Sequence, residues 1–342
     1  MRQGDPLSPF LFLFCAEWLN AILRKLAKEG EIEGFSLCRN GLKLTHLFFA
    51  DDCLIFCRST LEECQKIQTL LRYYEAISGQ MVNQAKTTFF FSRNTDEQTQ
   101  EAIKMSLGVP VIQHYEKYLG LASFIGRDKK ACFVNMKERI WARMQGWKEK
   151  LLSQVGKEVM IKAVIQSIPA YTMSVFKLPA SLCKEIEMMI HRFWWGQHDA
   201  KKIHWVKWSS LCSSKSVWGM GFKDIQKFNN ASLAKQVWRL VHQKDTLLFK
   251  VFSDRYFPNC SVLDAPIHPK CSYAWRSILQ AREVIKKGAI WRVGSGQQIE
   301  VWKHRWLLDP CCSKIILQEL ILQSHGLVTY SMLTQELGIW IS

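Results

Sequence analysis

The sequence predicts an α+β fold, and three observations carry that prediction. Apolar residues recur first at helical spacing, then in short alternating runs, then at helical spacing again, the pattern of helices packed on a small sheet. In a chain of 342 residues, 48% hydrophobic and 22% charged, there is enough apolar surface for packed cores, which excludes a mainly disordered protein. Beyond about residue 125 the character becomes helical and basic, so the sheet belongs to the N-terminal part.

Ser8-Pro9 before a long apolar stretch predicts a helix start, with the hydroxyl as N-cap and proline at the first helical position. Trp18, Leu19, Ile22, Leu23 and Leu26 continue that helix, and Gly30 closes it. Leu42 to Ala50 and Cys53 to Cys57 are two short apolar runs separated by Asp51-Asp52, which predicts a β-hairpin with two carboxylates at its tip. Leu61 to Ile77 returns to helical spacing and ends at Ser78-Gly79, followed by a short expected strand at Thr87 to Phe91.

Further along, Phe133, Met136, Ile140, Met144, Trp147 and Leu151 form one apolar stripe, while Lys130, Lys137, Arg139, Arg143, Lys148 and Lys150 occupy other positions. Helices are expected at Val159 to Ile168, stopped by Pro169, and at Leu182 to Trp195. From Lys201 the chain is rich in tryptophan, thirteen of the fourteen lying after residue 140. Its last element is an expected hairpin, Trp291 to Val301, turning at Gly294-Ser295-Gly296. Neither a low-complexity tract nor an internal repeat is visible.

The net charge of +16 is unevenly placed. Residues 1–100 carry 11 basic and 12 acidic side chains, whereas residues 101–342 carry 35 and 18. Such a basic excess suits a polyanionic partner. The twelve cysteines are irregularly spaced without a C-x-x-C pair, which favours reduced thiols over a disulfide framework or a zinc site. The apolar run Phe10 to Ala16 is far short of the ~20 residues that span a bilayer, so a soluble protein of the nucleus or cytoplasm is expected. His191, His198 and His204 beside Cys183 and Cys212 have intervals too irregular for a metal site.

Two adjacent carboxylates on an apolar hairpin repel, and a hard divalent cation such as Mg²⁺ would remove the repulsion. Read alone, the pair is equally a plain turn, because aspartate tolerates turn geometry. The surrounding segments give it a context. Arg2-Gln3-Gly4-Asp5-Pro6-Leu7-Ser8-Pro9, then Phe49-Ala50-Asp51-Asp52, then Ser78-Gly79 with Asn83 and Lys86, then Tyr118-Leu119-Gly120, resemble in order and spacing the reverse transcriptase of LINE-type, non-LTR retrotransposons, the plant version in particular. Lys202-Ile203-His204-Trp205-Val206, Gly219-Met220-Gly221-Phe222, Phe228-Asn229, Ala234-Lys235-Gln236 and Trp291-Arg292-Val293-Gly294 resemble the segment following the polymerase in plant elements.

The resemblance implies a partial right-hand polymerase palm over residues 1–125, a helical thumb over 126–200, and a mixed, Trp-rich and basic region over 201–342. It implies RNA-directed DNA polymerase activity on an RNA template and DNA primer, with deoxynucleoside triphosphates and a two-metal Mg²⁺ site. Asp51 would be the main metal ligand and Asp52 its neighbour, with Phe49 and Ala50 beside them. Gln3 and Gly4 would lie against nucleotide and template. Lys86 would donate a proton to pyrophosphate, or else is an exposed strand-end lysine. Tyr118, Leu119 and Gly120 would form the hairpin that grips the primer end. The Trp, Arg and Lys residues after 200 would stack on single-stranded nucleic acid, or else the tryptophans are core.

The family's third carboxylate and its fingers lie upstream of Arg-Gln-Gly-Asp, where only Met1 stands here. The expectation is therefore an N-terminally truncated chain, with Met1 an internal methionine of a longer frame, and an isolated chain that is inactive. A non-catalytic nucleic-acid-binding remnant is the alternative; an intron-encoded maturase fits less well, because of the match after residue 200. Endonuclease and ribonuclease H motifs are not visible, and the chain stops before the zinc-binding segment of such elements. Trp218 stands where the relatives tend to have glycine, and Ser295 where they tend to have aspartate.

Overall fold

A computed structural model describes residues 4–38, 41–92, 94–108, 110, 117–122, 125–126, 128–148, 152–196, 205–290 and 292. The first helix, α1 (Ser8–Lys28), turns Leu19 and Leu23 into a small core shared with Ile32, Leu70 and Tyr74. Lys25 and Lys28 in its last turn complement the helix dipole. Its start differs from the expected cap. The Asp5 carboxylate accepts from the Leu7 amide at 2.9 Å and the Asp5 carbonyl from the Ser8 amide at 3.0 Å. That turn draws Ser8 into the helix and leaves Leu7, which has no capping side chain, at the N-cap.

Four short strands follow: β1 (Phe35–Ser36), β2 (Lys43–Leu44), β3 (His46–Phe49) and β4 (Asp52–Ile55). The expected single strand Leu42 to Ala50 is broken in two. β2 pairs with β1, and β3 pairs with β4, both antiparallel. After α2 (Leu61–Ser78) and α3 (Glu97–Leu107) comes a third hairpin, β5 (Lys117–Tyr118) with β6 (Leu121–Ala122). The described strands thus form three separate two-stranded ladders. Ladders this short are marginal alone, and β3 and β4 gain support by packing Phe48 and Ile55 against the α1–α2 core. The expected strand Thr87 to Phe91 is reduced to one bridge, the Phe89 amide to the Pro110 carbonyl at 3.0 Å, since a strand without a neighbour cannot extend a ladder.

Helix α2 is specified at both ends. Thr60 caps it through its hydroxyl, Glu62 and Glu63 lie in its first turn, and Gly79 takes the left-handed closing position at φ 69°.

The following helices are α4 (Lys129–Cys132), α5 (Val134–Lys148), α6 (Gln154–Met160), a π-helical turn at Ile161–Ile165, α7 (Ala170–Val175), α8 (Ala180–Trp195), α9 (Trp208–Leu211), α10 (Ile225–His242), α11 (Leu247–Tyr256) and α12 (Tyr273–Gly288). The apolar stripe read from sequence is the buried face of this bundle: Phe133, Met136, Ile140 and Met144 pack with Ile161, Ile165, Met173, Leu182, Ile186 and Ile190. Leu151 lies outside the described residues. The helix expected at Val159 to Ile168 begins earlier and widens into the π turn, and Pro169 starts α7 as much as it ends the preceding segment. The expected mixed character after residue 200 is helical among the described residues, and the expected hairpin at 291–301 falls almost entirely outside them.

Two polar details hold this half together. Asn229 on α10 is 1% exposed. Its amide oxygen accepts from the Leu178 amide at 2.8 Å, and its NH₂ donates to the carbonyls of Met173 at 2.8 Å and Phe176 at 2.9 Å. One side chain therefore satisfies three main-chain groups at the α7–α8 corner. Secondly, α11 grips the loop before β2. The Asp254 carboxylate accepts from the Leu42 amide at 2.9 Å, and the Arg255 guanidinium donates to the Leu37 carbonyl at 2.7 Å.

A second core gathers around Trp275, which is fully buried and stacks on Tyr256 and Phe257 at centroid distances of 4.9 and 5.3 Å. Trp194 is buried in the core of the helical bundle with Ile186 and Ile190, whereas Trp205 and Trp238 are exposed, so the tryptophans divide between the two readings. Trp218 is fully exposed with φ 63°, closing a 3₁₀ turn over Lys215–Val217. An L residue is strained there, which explains why glycine suits the position. The next residue must be glycine for a different reason: a Cβ on Gly219 would lie 2.0 Å from the Ser213 carbonyl oxygen.

Two outcomes are expected in chemical denaturation. Trp218→Gly raises stability by about 1 kcal/mol, the left-handed penalty of tryptophan exceeding the added freedom of the unfolded glycine; an unchanged or lower midpoint would refute the strain. Asn229→Ala lowers stability by about 3 kcal/mol, because three buried main-chain groups lose their partners; a loss below about 1 kcal/mol would show that the corner is held otherwise.

Candidate active site

The β3–β4 hairpin is fixed by its register, which pairs His46 with Ile55, Leu47 with Leu54, Phe48 with Cys53 and Phe49 with Asp52. The Phe56 amide donates to the Thr45 carbonyl at 2.8 Å and extends the ladder one step. Ala50 and Asp51 therefore form a two-residue turn, and Asp52 is the first residue of the returning strand rather than part of the tip. Ala50 has φ 50°, a left-handed conformation that costs an alanine about 1 kcal/mol or more. Such strain persists where the flanking ladder overrides it. Both aspartates are exposed, as are Ala50 and Phe49, the latter 61% exposed.

Behind the hairpin, His46 is held from both sides. Its Nε2 lies 2.8 Å from the Asn20 side-chain oxygen on α1, its Nδ1 lies 2.9 Å from the Thr45 hydroxyl, and its ring packs 4.7 Å from that of Phe48. Burial, with a smaller contribution from the Arg24 charge, holds its pKa below the ordinary histidine value. This group was missed in the sequence; a histidine within an apolar strand was the available signal.

The strand's exit is tied by Glu63. Its carboxylate accepts from the amides of Arg58 at 2.9 Å and Glu33 at 3.3 Å, while the Arg58 guanidinium bridges Glu63 and Glu33. A hydrogen bond from Lys43, then the Arg58 guanidinium, holds the Glu33 carboxyl below its ordinary range.

The other candidates occupy separate turns. Gly4 has φ 89° and open space around its α-carbon, while Gln3 lies outside the described residues. Lys86 is exposed in a turn whose amide donates to the Asn83 carbonyl at 3.0 Å. Tyr118 pairs with Leu121 across a two-residue turn in which Leu119 and Gly120 both have positive φ, 50° and 77°. That is the turn geometry whose twist matches a β-hairpin, and it explains the glycine.

Asp51 and Asp52 offer hard oxygen donors of the kind Mg²⁺ takes together with phosphate and water oxygens. Among the described residues, no group of three or more His, Cys, Asp or Glu side chains could hold a metal. The pair fits an ion shared with a phosphate substrate and does not form a closed protein cage. His191 is half-buried against Trp195 and Trp208, and His198 and His204 lie outside the described residues. Each described cysteine is a free thiol, and no helix among the described residues is long and apolar enough to cross a membrane.

Residues 1–122 match the family of reverse transcriptases (RNA-dependent DNA polymerases). The N-terminal part of the chain, which carries the strained Ala50-Asp51 turn, is thus similar to reverse transcriptases. Over 145 residues it is 42% identical to the uncharacterized mitochondrial protein AtMg00310 of Arabidopsis thaliana, covering 42% of this chain and 94% of that protein. It is 37% identical over 186 residues to the putative ribonuclease H protein At1g65750 of the same plant, covering 53% of this chain but 30% of the relative. A third relative, the uncharacterized mitochondrial protein AtMg01250, is 44% identical over 52 residues, 15% of this chain and 43% of that protein.

The depressed pKa of His46 sets a pH dependence. Folding favours the neutral ring, so this contribution is fully present above the ordinary histidine pKa of 6.5 and is lost as pH falls through the lower folded value. Denaturant midpoints measured from pH 7.5 to 5 are expected to fall, and His46→Gln is expected to flatten that slope. Equal slopes in the two proteins would remove His46 from the account.

Proposed function

We propose that the chain is the RNA-directed DNA polymerase portion of a non-LTR retrotransposon of the LINE type. The observation that carries this reading is the Phe49-Ala50-Asp51-Asp52 hairpin, with two exposed carboxylates on and beside a strained two-residue turn. Within it Asp51 and Asp52 hold Mg²⁺, which when bound supplies Lewis-acid activation of a primer hydroxyl and neutralises charge on the leaving pyrophosphate. Gln3, Gly4, Phe49 and Ala50 border the incoming nucleotide and template. Lys86 is the proton donor to pyrophosphate, and Tyr118-Leu119-Gly120 steadies the primer end. Residues 1–125 act as palm, 126–200 as thumb and 201–342 as a basic region following the polymerase.

Among the described residues Asp51 and Asp52 stand without a third metal-binding side chain, which makes a loose metal site, and metal placement dominates this chemistry. The isolated chain is therefore proposed to be inactive, and a nucleic-acid-binding remnant is the second reading that the two-acid set favours.

Purified chain, a primed RNA template, deoxynucleoside triphosphates and Mg²⁺ or Mn²⁺ provide the test. The expected outcome is no extension above that of the Asp51→Asn, Asp52→Asn double variant. Extension that disappears in the double variant would overturn the inactivity and support the polymerase directly, whereas extension equal in both proteins would remove the aspartates from the chemistry.

A further inference from the structure

Helix α10 has one face that its packing leaves open. The sides carrying Ile225, Asn229, Leu233, Val237 and Leu240 are buried against α7, α8 and α12. On the opposite side Lys227, Ala231, Lys235, Trp238 and His242 follow one another at steps of four, four, three and four and are all exposed, with Arg239 beside them. This stripe is about 22 Å long, from the helical rise per residue.

Its chemistry is unusual for a merely solvated face. The eighteen residues of α10 include no acidic side chain. Lys227 pairs with Asp224 at the helix start at 3.5 Å, but Lys235 and Arg239 form no ion pair among the described residues. Arg239 is steadied by the side-chain oxygens of Gln236 at 3.2 Å and Gln243 at 3.4 Å, which orient a guanidinium without neutralising it. Between these cations stands Trp238, 47% exposed, its ring 4.0 Å from that of His242, whose Nδ1 lies 3.1 Å from the Trp238 carbonyl oxygen. The indole is thus braced from its own helix while much of it stays open to solvent.

Cations spaced around a braced, exposed indole complement a strand that offers phosphates and unpaired bases together. We propose that this face of α10 binds single-stranded RNA, with a base stacked on Trp238 and phosphates at Lys235 and Arg239. The proposal rests on the polymerase-family reading for its choice of RNA, and it deepens that reading by naming a platform well outside the Asp51-Asp52 hairpin in sequence. A base paired within a duplex keeps its faces covered, so the platform selects unpaired strands.

The test is fluorescence titration of the full chain with a 20-nucleotide single-stranded RNA, single-stranded DNA of the same sequence, duplex RNA and anionic phospholipid vesicles. Trp238→Ala is expected to weaken single-stranded RNA binding about tenfold and Trp238→Phe to retain most of it, since stacking survives. Lys235→Gln with Arg239→Gln is expected to lower the slope of log Kd against log salt by about 1.4, two phosphate contacts on a single strand. Unchanged thermal midpoints in these exposed-site variants show that the fold is intact. RNA binding indifferent to Trp238 overturns the platform, as does tighter binding of duplex RNA or of single-stranded DNA. Loss of vesicle binding alone in the variants makes the face a lipid surface instead. Primer extension reads the Asp51-Asp52 hairpin and not Trp238, so failure of extension leaves this inference standing, whereas indifference to Trp238 defeats it alone.

Discussion

The amide of Asn229 is the constraint on which the helical part of the molecule turns. Where α7 gives way to α8, the chain must bend inside an apolar core, and a bend exposes main-chain groups that helix bonding no longer satisfies. Asn229 reaches across from α10 to answer the carbonyls of Met173 and Phe176 and the amide of Leu178. An apolar residue would fill the space and leave all three unpaired, while a charged one would be costly to bury. Because α10 also packs on α12, this polar anchor orients the helix for both cores.

The N-terminal part is organised by a different economy. Its hairpins have strands of only two to four residues, too short to stand on hydrogen bonds alone. The β3–β4 ladder is upheld by α1 and α2 through apolar contacts, by His46 reaching Asn20, and by Glu63 at its exit. Two carboxylates, one on the turn and one at the start of the returning strand, can therefore remain exposed on a hairpin whose support lies behind it.

Much of this was legible in the sequence. Helical periodicity located α1, α2, α5 and α8, and the apolar stripe from Phe133 to Met144 is buried as its spacing implied. Aspartates between two apolar runs indicated a hairpin, because that pattern reports local chemistry. What could not be read depended on distant partners. Thr87 to Phe91 has strand-forming residues but one bridge, and Leu42 to Ala50 divides because β1 captures β2. Whether a given tryptophan is buried depended likewise on what packs over it: Trp275 is enclosed by Tyr256 and Phe257, while Trp238, also on a helix, stays exposed. Among the candidate site residues, the hairpin at Tyr118-Leu119-Gly120 was implied by the resemblance alone, whereas the positive φ of Ala50 and the brace at His46 emerge only from the ladder and from α1. That Lys86 sits in a turn rather than at the end of a strand follows from the missing partner for Thr87 to Phe91.

The grip of α11 on the loop before β2 bears on how the chain is born. Leu42 and Asp254 are separated by 212 positions, and Leu37 and Arg255 by 218. A ribosome adding roughly 5–20 residues per second needs tens of seconds to reach the second partner after making the first. During that interval the β1–β2 ribbon has left the tunnel without the contacts that later fasten it, and its unpaired edges must wait. Closing so long a loop is also entropically slow. Maturation of the ribbon leading into the aspartate hairpin is thus scheduled by the downstream half of the message, and translation halted before α11 yields a nascent chain whose hairpin region has not received its final fastening.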